Sequence, residues 1–258
     1  IFENNTIDII YHAAAYKHVI FGGENLNNFF KNNFLGTKTL LDFAIRYKIK
    51  NFMLVSTDKA TNPINTMGLT KYLSECLCDY YYKINNNDII INKVRFGNVL
   101  GTSGSVIPVF KEQILKGGPV TVSHKDVKRY FMTKEEAVEL ILYSSKIGQK
   151  NELFYLDMGK PVNIYNLACK MINLLGRKIK NQNNKYNNND IEIIFKGLEL
   201  GEKLDWQLLP HRAASRIKLA RKNSILDNQK DWDDYIVWLI EKLEKFYQVF
   251  SKRLNNIN

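Results

Sequence analysis

The sequence predicts an α/β fold built on a parallel sheet. Three short apolar runs each end in a polar or small-residue cluster, and segments with helical spacing of apolar residues separate them: "IDIIYHAAA", "NFMLVSTDK" and "IIINKVRFGNV". Strands that alternate with helices are joined by right-handed crossovers, which makes the sheet parallel. The carboxyl ends of parallel strands lie at one edge, where open α/β folds bind their ligands. We therefore expect the clusters "AAAYKH", "STDK" and "RFGNV" to converge at this edge.

The two segments between these strands have the apolar spacing of amphipathic helices. The first carries Phe30, Phe34, Leu41 and Ala44, and the second carries Leu69, Leu73, Cys76, Tyr80 and Ile84. Further along the chain, "SVIPVFKEQILKGG" predicts a helix and "PVTVS" predicts a strand.

The helix predicted for "TKEEAVELILYSSKIG" has its own start and stop signals. Thr133 and Glu136 have the spacing of a capping box, and Gly148 suits the end of the helix. The strand "LFYLDMG", the helix "NIYNLACKMINLLG" and the strand "IEIIFKG" follow. Residues 181–190 are polar and of low complexity, which predicts a surface loop. Residues 231–250 predict an amphipathic helix. Its Trp and Phe residues are interpreted as a docking surface rather than a membrane anchor, because acidic residues interleave with the basic ones.

Composition argues against several classes of protein. The 258 residues are 45% hydrophobic, as in an ordinary soluble globule. No stretch approaches the roughly 18 apolar residues of a membrane span, and the N-terminus lacks the flanks of a signal peptide, so we expect a cytoplasmic chain without a membrane segment. The net charge of +11 comes from scattered lysines, which argues against nucleic acid and suits an anionic nucleotide sugar. The three cysteines are predicted to be buried free thiols, and no metal ion is expected.

A glycine-rich turn is missing from the start of the sequence. No Gly-x-Gly-x-x-Gly pattern follows the first strand, which begins a few residues after Ile1. A dinucleotide-binding unit needs that turn, because the pyrophosphate sits on backbone amides at a helix N-terminus. The sequence is therefore a fragment of a longer protein, or it cannot hold such a cofactor.

Several motifs together resemble one branch of a known enzyme superfamily. They are "HAAAYKHV", "NNFLGTKTLLDFA", "VSTDKATNPINTMGLTK", "VRFGNVLGTSGSVIPVFKEQILKGGPVTV", "RYFMT", "LDMGKPVNI" and "GEKL", and they cover residues 7–210 in order. This set is similar to the polysaccharide-biosynthesis branch of the extended short-chain dehydrogenases/reductases, typified by UDP-N-acetylglucosamine 4,6-dehydratases.

The resemblance implies an NAD(P)-binding Rossmann fold that lacks its first strands and glycine-rich turn, with a smaller C-terminal lobe for the substrate. It divides the chain into a partial catalytic domain at 1–222 and a C-terminal helical tail at 223–258. Within the first, the Rossmann part takes residues 1–100 and 133–158 and the substrate lobe takes 101–132 and 159–222. The implied cofactor is NAD(P), with NAD favoured over NADP. The implied partner is a UDP-sugar, and a homo-oligomer is left open.

The implied reaction is a redox-neutral elimination that makes a 4-keto-6-deoxy sugar nucleotide. Hydride leaves carbon 4 of the sugar, water is lost across carbons 5 and 6, and the hydride returns to carbon 6. Elimination needs one group that takes the carbon 5 proton and another that protonates the leaving hydroxyl. A UDP-sugar epimerase of the same branch shares the carbon 4 and carbon 5 steps and remains an alternative, as does a non-catalytic remnant.

The resemblance also implies roles for the motif at 55–71. Ordinary short-chain dehydrogenases use a Tyr-x-x-x-Lys pair, in which the lysine lowers the tyrosine pKa. Here Met67 stands four residues before Lys71 and cannot ionise, a substitution that marks the large dehydratases. We hypothesise that Asp58 and Lys59 are the acid/base pair, that Thr57 hydrogen-bonds the carbon 4 oxygen, and that Lys71 holds the nicotinamide ribose.

Other positions match family residues that contact the cofactor or the substrate. Expected on the cofactor side are Ala13, Ala14, Ala15, Asn33 and Ser56, together with Lys71; expected on the substrate side are Lys17, Asn98, Arg129 and Glu202. His12 and His18 are interpreted as structural histidines. Glu199 and Leu200 depart from the Arg-Pro that relatives carry before "GEKL", which changes the charge expected near the nucleotide.

Overall fold

The computed structural model describes residues 1–17, 27–85, 88–102, 104–180, 190–198 and 202–204. The strands are β1 (Ile9–His12), β2 (Asn51–Val55), β3 (Ile90–Arg95), β4 (Asn98–Val99), β5 (Val120–Val122), β6 (Lys128–Arg129), β7 (Phe131–Met132), β8 (Leu153–Tyr155), β9 (Val162–Asn163), β10 (Lys178–Ile179), β11 (Asp190–Ile191) and β12 (Ile193–Phe195). The α-helices are α1 (Gly36–Arg46), α2 (Thr66–Ile84), α3 (Val106–Leu115), α4 (Lys134–Ile147) and α5 (Ile164–Leu174).

The central sheet is parallel, as the sequence predicts. Its four strands lie in the order β1-β2-β3-β8, and every pairing runs in the same direction. Strand β2 is apolar because both of its faces are covered: Phe52 and Leu54 on one face and Met53 on the other are at most 1% exposed. The carboxyl ends of β1, β2 and β3 therefore meet at one edge.

Helices α1 and α2 pack on one face of this sheet. Leu41 and Ala44 from α1 and Leu77 from α2 join the sheet residues in one buried cluster. Burial of each large apolar side chain contributes about 1.5–3 kcal/mol, so this cluster fixes α2 against β2 and β3. The packing matters for the site because α2 carries Met67 and Lys71.

A second buried cluster lies under the small sheets. Phe110 and Ile114 of α3 pack with Val120, Val122 and Ile172. The single strand predicted for "IEIIFKG" is wrong in one respect, because the chain switches partners at Glu192: β11 pairs with β10 and β12 pairs with β5.

Helix α4 begins and ends where the sequence predicts. Thr133 and Glu136 form the reciprocal capping box. Gly148 follows the last helical residue, yet its φ of −70° is not left-handed. A Cβ at Gly148 would lie 2.1 Å from the side-chain nitrogen Nδ2 of Asn92 and 3.0 Å from the Ser144 carbonyl oxygen, so close packing against β3 and the end of the helix favours glycine there.

Some expectations lie outside the described residues or remain untested. Residues 181–189, His18, Glu199, Leu200 and the tail at 223–258 are outside the description, whereas Asp190 already belongs to β11. The division into Rossmann part and substrate lobe stays a prediction. Cys78 is buried, while Cys76 and Cys169 are only half-buried. Among the described helices, none is both long and apolar enough to cross a membrane.

Candidate active site

The "STDK" cluster continues the hydrogen-bond ladder of β2 past its carboxyl end. The amide of Ser56 donates to the Val94 carbonyl at 2.7 Å, and the amide of Asp58 donates to the Phe96 carbonyl at 3.0 Å. The chain then turns into a short 3₁₀ helix, Asp58–Ala60, which Thr57 caps by accepting from the Lys59 amide at 3.3 Å. We call residues 56–60 the STDK turn.

Three side chains of this turn form one hydrogen-bonded group. The Thr57 hydroxyl and the Lys59 ammonium both donate to Oδ1 of Asp58, each at 2.9 Å. Lys59 also donates to Oδ1 of Asn98 at 3.2 Å, which draws β4 into the cluster. The Asp58 side chain is 3% exposed and that of Lys59 is 19% exposed. The carboxylate is therefore buried beneath two groups that are more accessible.

Helix α2 begins in direct contact with the STDK turn. Asn65 caps the helix by accepting from the Gly68 amide at 2.7 Å. A Cβ at Gly68 would lie 2.4 Å from the Lys59 carbonyl oxygen, so only glycine permits this approach. The contact places the first turn of α2, including buried Met67, beside the acid/base candidates.

Lys71 lies one helical turn further on and is almost fully buried. Burial lowers its pKa from 10.5 to about 8, against the opposing charge of Glu75. Among the hydrogen bonds and ion pairs of the described residues, none joins the Lys71 ammonium to another side chain or carbonyl. Its donors are thus available for hydroxyl groups of a bound molecule.

His12, at the end of β1, has a structural partner. Its Nε2 lies 2.9 Å from the Thr37 hydroxyl, and the side chain is buried. Burial, together with the charge of Lys71, lowers the pKa of His12 to about 4. The imidazole is therefore neutral near pH 7, in accord with its interpretation as a structural histidine.

Asn33 ties the residues after β1 to α2. Its side chain accepts from the Tyr16 amide at 2.7 Å and donates to the Tyr16 carbonyl and to the Thr70 hydroxyl, both at 3.1 Å. It lies within a π-helical segment, Phe30–Leu35, a distortion that is frequent at functional sites. The structure places Asn33 where it can fix the backbone beside the site.

The remaining candidates near the start of the chain are exposed. Ala13, Ala14 and Ala15 follow β1 at the carboxyl edge, and their small side chains leave the backbone open to close approach. Lys17 is also exposed, next to residues outside the description. The structure brings the alanines to the same edge as the STDK turn, and among the described residues Lys17 has no hydrogen bond or ion pair.

The structure contains a buried ion pair under the STDK turn that the sequence analysis does not predict. Nε of Arg95 donates to Glu75 at 2.8 Å, and its Nη2 donates to the other carboxylate oxygen. The Ser56 hydroxyl, expected to contact the cofactor, donates to this carboxylate. The positions of Glu75, four residues after Lys71, and of Arg95, directly before "FGN", are the only sequence signals for this network. Thr61 and Tyr155 complete it by accepting from Nη1 of Arg95 at 3.0 and 2.6 Å.

Two substrate candidates, Arg129 and Glu202, bind each other. Nη2 of Arg129 donates to the Glu202 carboxylate at 2.6 Å, and Nη1 donates to the carbonyls of Lys128, Lys203 and Leu204 at 2.7, 2.9 and 3.3 Å. The Arg129 side chain is 9% exposed. Both residues therefore hold the backbone at 202–204, and contact with the substrate stays a prediction for each.

The profile of the polysaccharide biosynthesis protein family matches residues 1–226. The chain belongs to this family. It is 46% identical over 200 residues to capsular polysaccharide biosynthesis protein CapD of Staphylococcus aureus, a match that covers 78% of this chain and 32% of CapD. It is 40% identical to the uncharacterized membrane protein MJ1061 of Methanocaldococcus jannaschii, covering 79% of this chain and 60% of that protein. It is 33% identical to a UDP-glucose 4-epimerase of Rickettsia canadensis, covering 67% of this chain and 51% of the epimerase.

Solved structures confirm the fold class. The X-ray structure of Pen from Bacillus thuringiensis is 32% identical with a TM-score of 0.68, and the match covers 77% of this chain and 58% of Pen. The dTDP-glucose 4,6-dehydratase DesIV of Streptomyces venezuelae, solved with NAD and TYD, is 20% identical with a TM-score of 0.63 over 76% of this chain and 66% of DesIV. The family member described here thus has a Rossmann-type fold of the extended short-chain dehydrogenases/reductases and spans about a third of CapD.

Proposed function

We propose that this chain is the catalytic part of an NAD(P)-dependent nucleotide-sugar 4,6-dehydratase that acts on a UDP-hexose of the UDP-N-acetylglucosamine type. The observation that carries the proposal is the group of Thr57, Asp58 and Lys59 beside a helix with Met67 and Lys71. A base, an acid and a buried ammonium are gathered at the carboxyl edge, where this fold binds ligands. Membership of the polysaccharide biosynthesis family supports a sugar nucleotide as substrate.

The residues at the edge fit a dinucleotide. Exposed small side chains at Ala13–15 permit close approach of the cofactor, and the donors of buried Lys71 can bind the ribose hydroxyls beside the nicotinamide. When bound, the nicotinamide supplies the hydride acceptor at carbon 4 and the donor at carbon 6. With a pKa of about 8, Lys71 is mostly protonated at pH 7 and adds the positive charge that this role requires.

The elimination is assigned to the Asp58–Lys59 pair. One carboxylate and one ammonium share a hydrogen bond of 2.9 Å, so a base and an acid are present at the same moment. A proton leaves carbon 5 and a proton joins the departing hydroxyl, so the pair is neutral in total before and after water is lost. Thr57, which donates to Asp58, is proposed to hydrogen-bond the carbon 4 oxygen. Lys17, Asn98, Arg129 and Glu202 are proposed to hold the UDP-sugar around this centre.

The test is product analysis with full-length protein, NAD and UDP-N-acetylglucosamine. We expect a 4-keto product whose carbon 6 is a methyl group. When the reaction is run in D2O, one deuterium from the solvent should be incorporated at carbon 5. Asp58→Asn and Lys59→Ala should each lower turnover at least about 100-fold, as loss of an acid/base group does. Asp88→Asn and Lys111→Ala, which change exposed residues of the same types, serve as matched controls. Near-normal turnover in both active-site variants would refute the assignment.

A UDP-sugar epimerase is the second candidate, and a specific observation favours it. The Rickettsia canadensis protein, 33% identical to this chain, is a UDP-glucose 4-epimerase. Oxidation at carbon 4 is shared, but an epimerase returns hydride to carbon 4 and leaves the carbon 6 hydroxyl in place. A product with an inverted ring carbon and an intact hydroxymethyl group would select this activity over the dehydratase.

A further inference from the structure

The segment at 202–204 is anchored to the lobe that carries β6. The amide of Lys128 donates to the Leu204 carbonyl at 2.8 Å, which extends the chain alongside β6. Arg129 adds bonds to the carbonyls of Lys203 and Leu204 and to the Glu202 carboxylate. The backbone at Lys203 is therefore held on both sides by hydrogen bonds.

From this fixed backbone position the Lys203 side chain reaches towards the STDK turn. Its ammonium donates to the Asn62 carbonyl at 3.0 Å. Asn62 has a φ of 48°, a left-handed conformation that Asn tolerates better than most residues. It lies between the STDK turn and Asn65, the N-cap of α2, so a bond to this carbonyl restrains the link that joins the acid/base pair to Met67 and Lys71.

The Lys203 ammonium also interacts electrostatically with the Asp58 carboxylate. Partial burial lowers the pKa of Lys203, and the negative charge of Asp58 opposes this effect. Among the described residues, the Lys59 ammonium and the Thr57 hydroxyl hydrogen-bond to Asp58, and Lys203 adds a positive charge from a distant part of the sequence.

We propose that Lys203 is a positioning residue that joins the substrate lobe to the STDK turn and so helps to hold the geometry of that turn; this deepens the proposed function and rests on it. Without the ammonium, residues 61–65 lose a bond to the lobe and Asp58 loses a neighbouring cation. The hydroxyl, carboxylate and ammonium of the turn then hold their geometry less well, and small displacements of catalytic groups are costly.

The first experiment needs no substrate. Hydrogen–deuterium exchange of the peptide spanning residues 57–66 is compared in full-length wild type, Lys203→Met, Lys203→Arg and Lys196→Met. Lys196 is an exposed lysine of the same lobe and serves as the matched control. We expect exchange to be faster in Lys203→Met alone. Equal exchange in all four proteins would overturn the connection between lobe and turn.

The second experiment measures turnover against pH. We expect Lys203→Met to lower kcat about tenfold, with little change in the KM for the UDP-sugar, because the displaced groups act in chemistry. The pH profile should also change, because a cation near the turn is lost. Lys203→Arg should restore most of kcat and the wild-type profile. With both variants shown to be folded by circular dichroism, an arginine variant as impaired as the methionine variant would refute a role for the charge.

The two proposals fail in different ways. If wild type makes no 4-keto product but the hydrogen–deuterium exchange of residues 57–66 depends on Lys203, the proposed dehydratase activity is wrong and the proposed connection between lobe and turn stands. If wild type makes the product while Lys203→Met matches it in exchange, kcat and pH profile, the inference about Lys203 is wrong and the dehydratase stands.

Discussion

Replacing Lys71 with methionine should stabilise the fold while removing activity. The ammonium is buried without a hydrogen bond among the described residues, so its charged form is disfavoured in the native state. In the unfolded chain the same group has its ordinary pKa of 10.5, and in the folded chain the value is about 8. The side chain that is proposed to bind the cofactor is therefore a source of instability in the free protein.

The size of the effect follows from the two pKa values. A tenfold change in an ionisation constant is worth about 1.4 kcal/mol, so charged Lys71 costs the native state about 3 kcal/mol at pH 7. Between pH 8 and 10.5 the unfolded chain binds more protons than the folded one, so stability rises with pH in this window. At pH 10 the remaining cost is about 1 kcal/mol.

The assay is urea unfolding of the full-length protein without added NAD at pH 7 and pH 10. The free energy of unfolding of Lys71→Met should exceed that of wild type by about 3 kcal/mol at pH 7 and by about 1 kcal/mol at pH 10. The variant should also lose NAD-dependent turnover. Lys160→Met, at an exposed lysine, should show neither effect. A difference between Lys71→Met and wild type that does not change with pH would refute the argument from burial.

Three further substitutions test the packing around the site. Gly68→Ala forces α2 away from the Lys59 carbonyl, so the free energy of unfolding should fall by about 1–3 kcal/mol and turnover should fall more than about tenfold. Normal turnover would show that this contact does not position the turn. Glu75→Gln leaves the Arg95 guanidinium buried without a carboxylate and should destabilise by about 3–5 kcal/mol in thermal unfolding; an unchanged Tm would contradict this. Thr133→Ala removes the α4 cap and should cost about 1 kcal/mol with unchanged kcat, whereas a loss of kcat would contradict its purely structural role.

The fold could be predicted where local sequence decides it. Buried parallel strands require apolar runs, and the runs ending in Ala15, Lys59 and Val99 hold the three strands β1, β2 and β3. The two-residue strands and the change of partner at Glu192 depend on distant segments instead. No local pattern distinguishes β11 and β12 from one continuous strand.

The site could be predicted in part for the same reason. Residues on one turn, such as Thr57, Asp58 and Lys59, meet because they are neighbours in sequence. Ion pairs between distant residues leave no such mark: Arg129 and Glu202 are both polar candidates, but their mutual bond becomes visible only when β6 lies beside residues 202–204. Lys203 and Asn62 are likewise far apart in sequence, so no local pattern predicts the hydrogen bond between them.

Position 67 lies in the first turn of α2, which contacts the STDK turn at Gly68. Met67 is buried there, at 7% exposed. A tyrosine there would compete for the proton work; a thioether cannot ionise and contributes an apolar surface. Methionine therefore leaves the proton chemistry to the proposed Asp58–Lys59 pair.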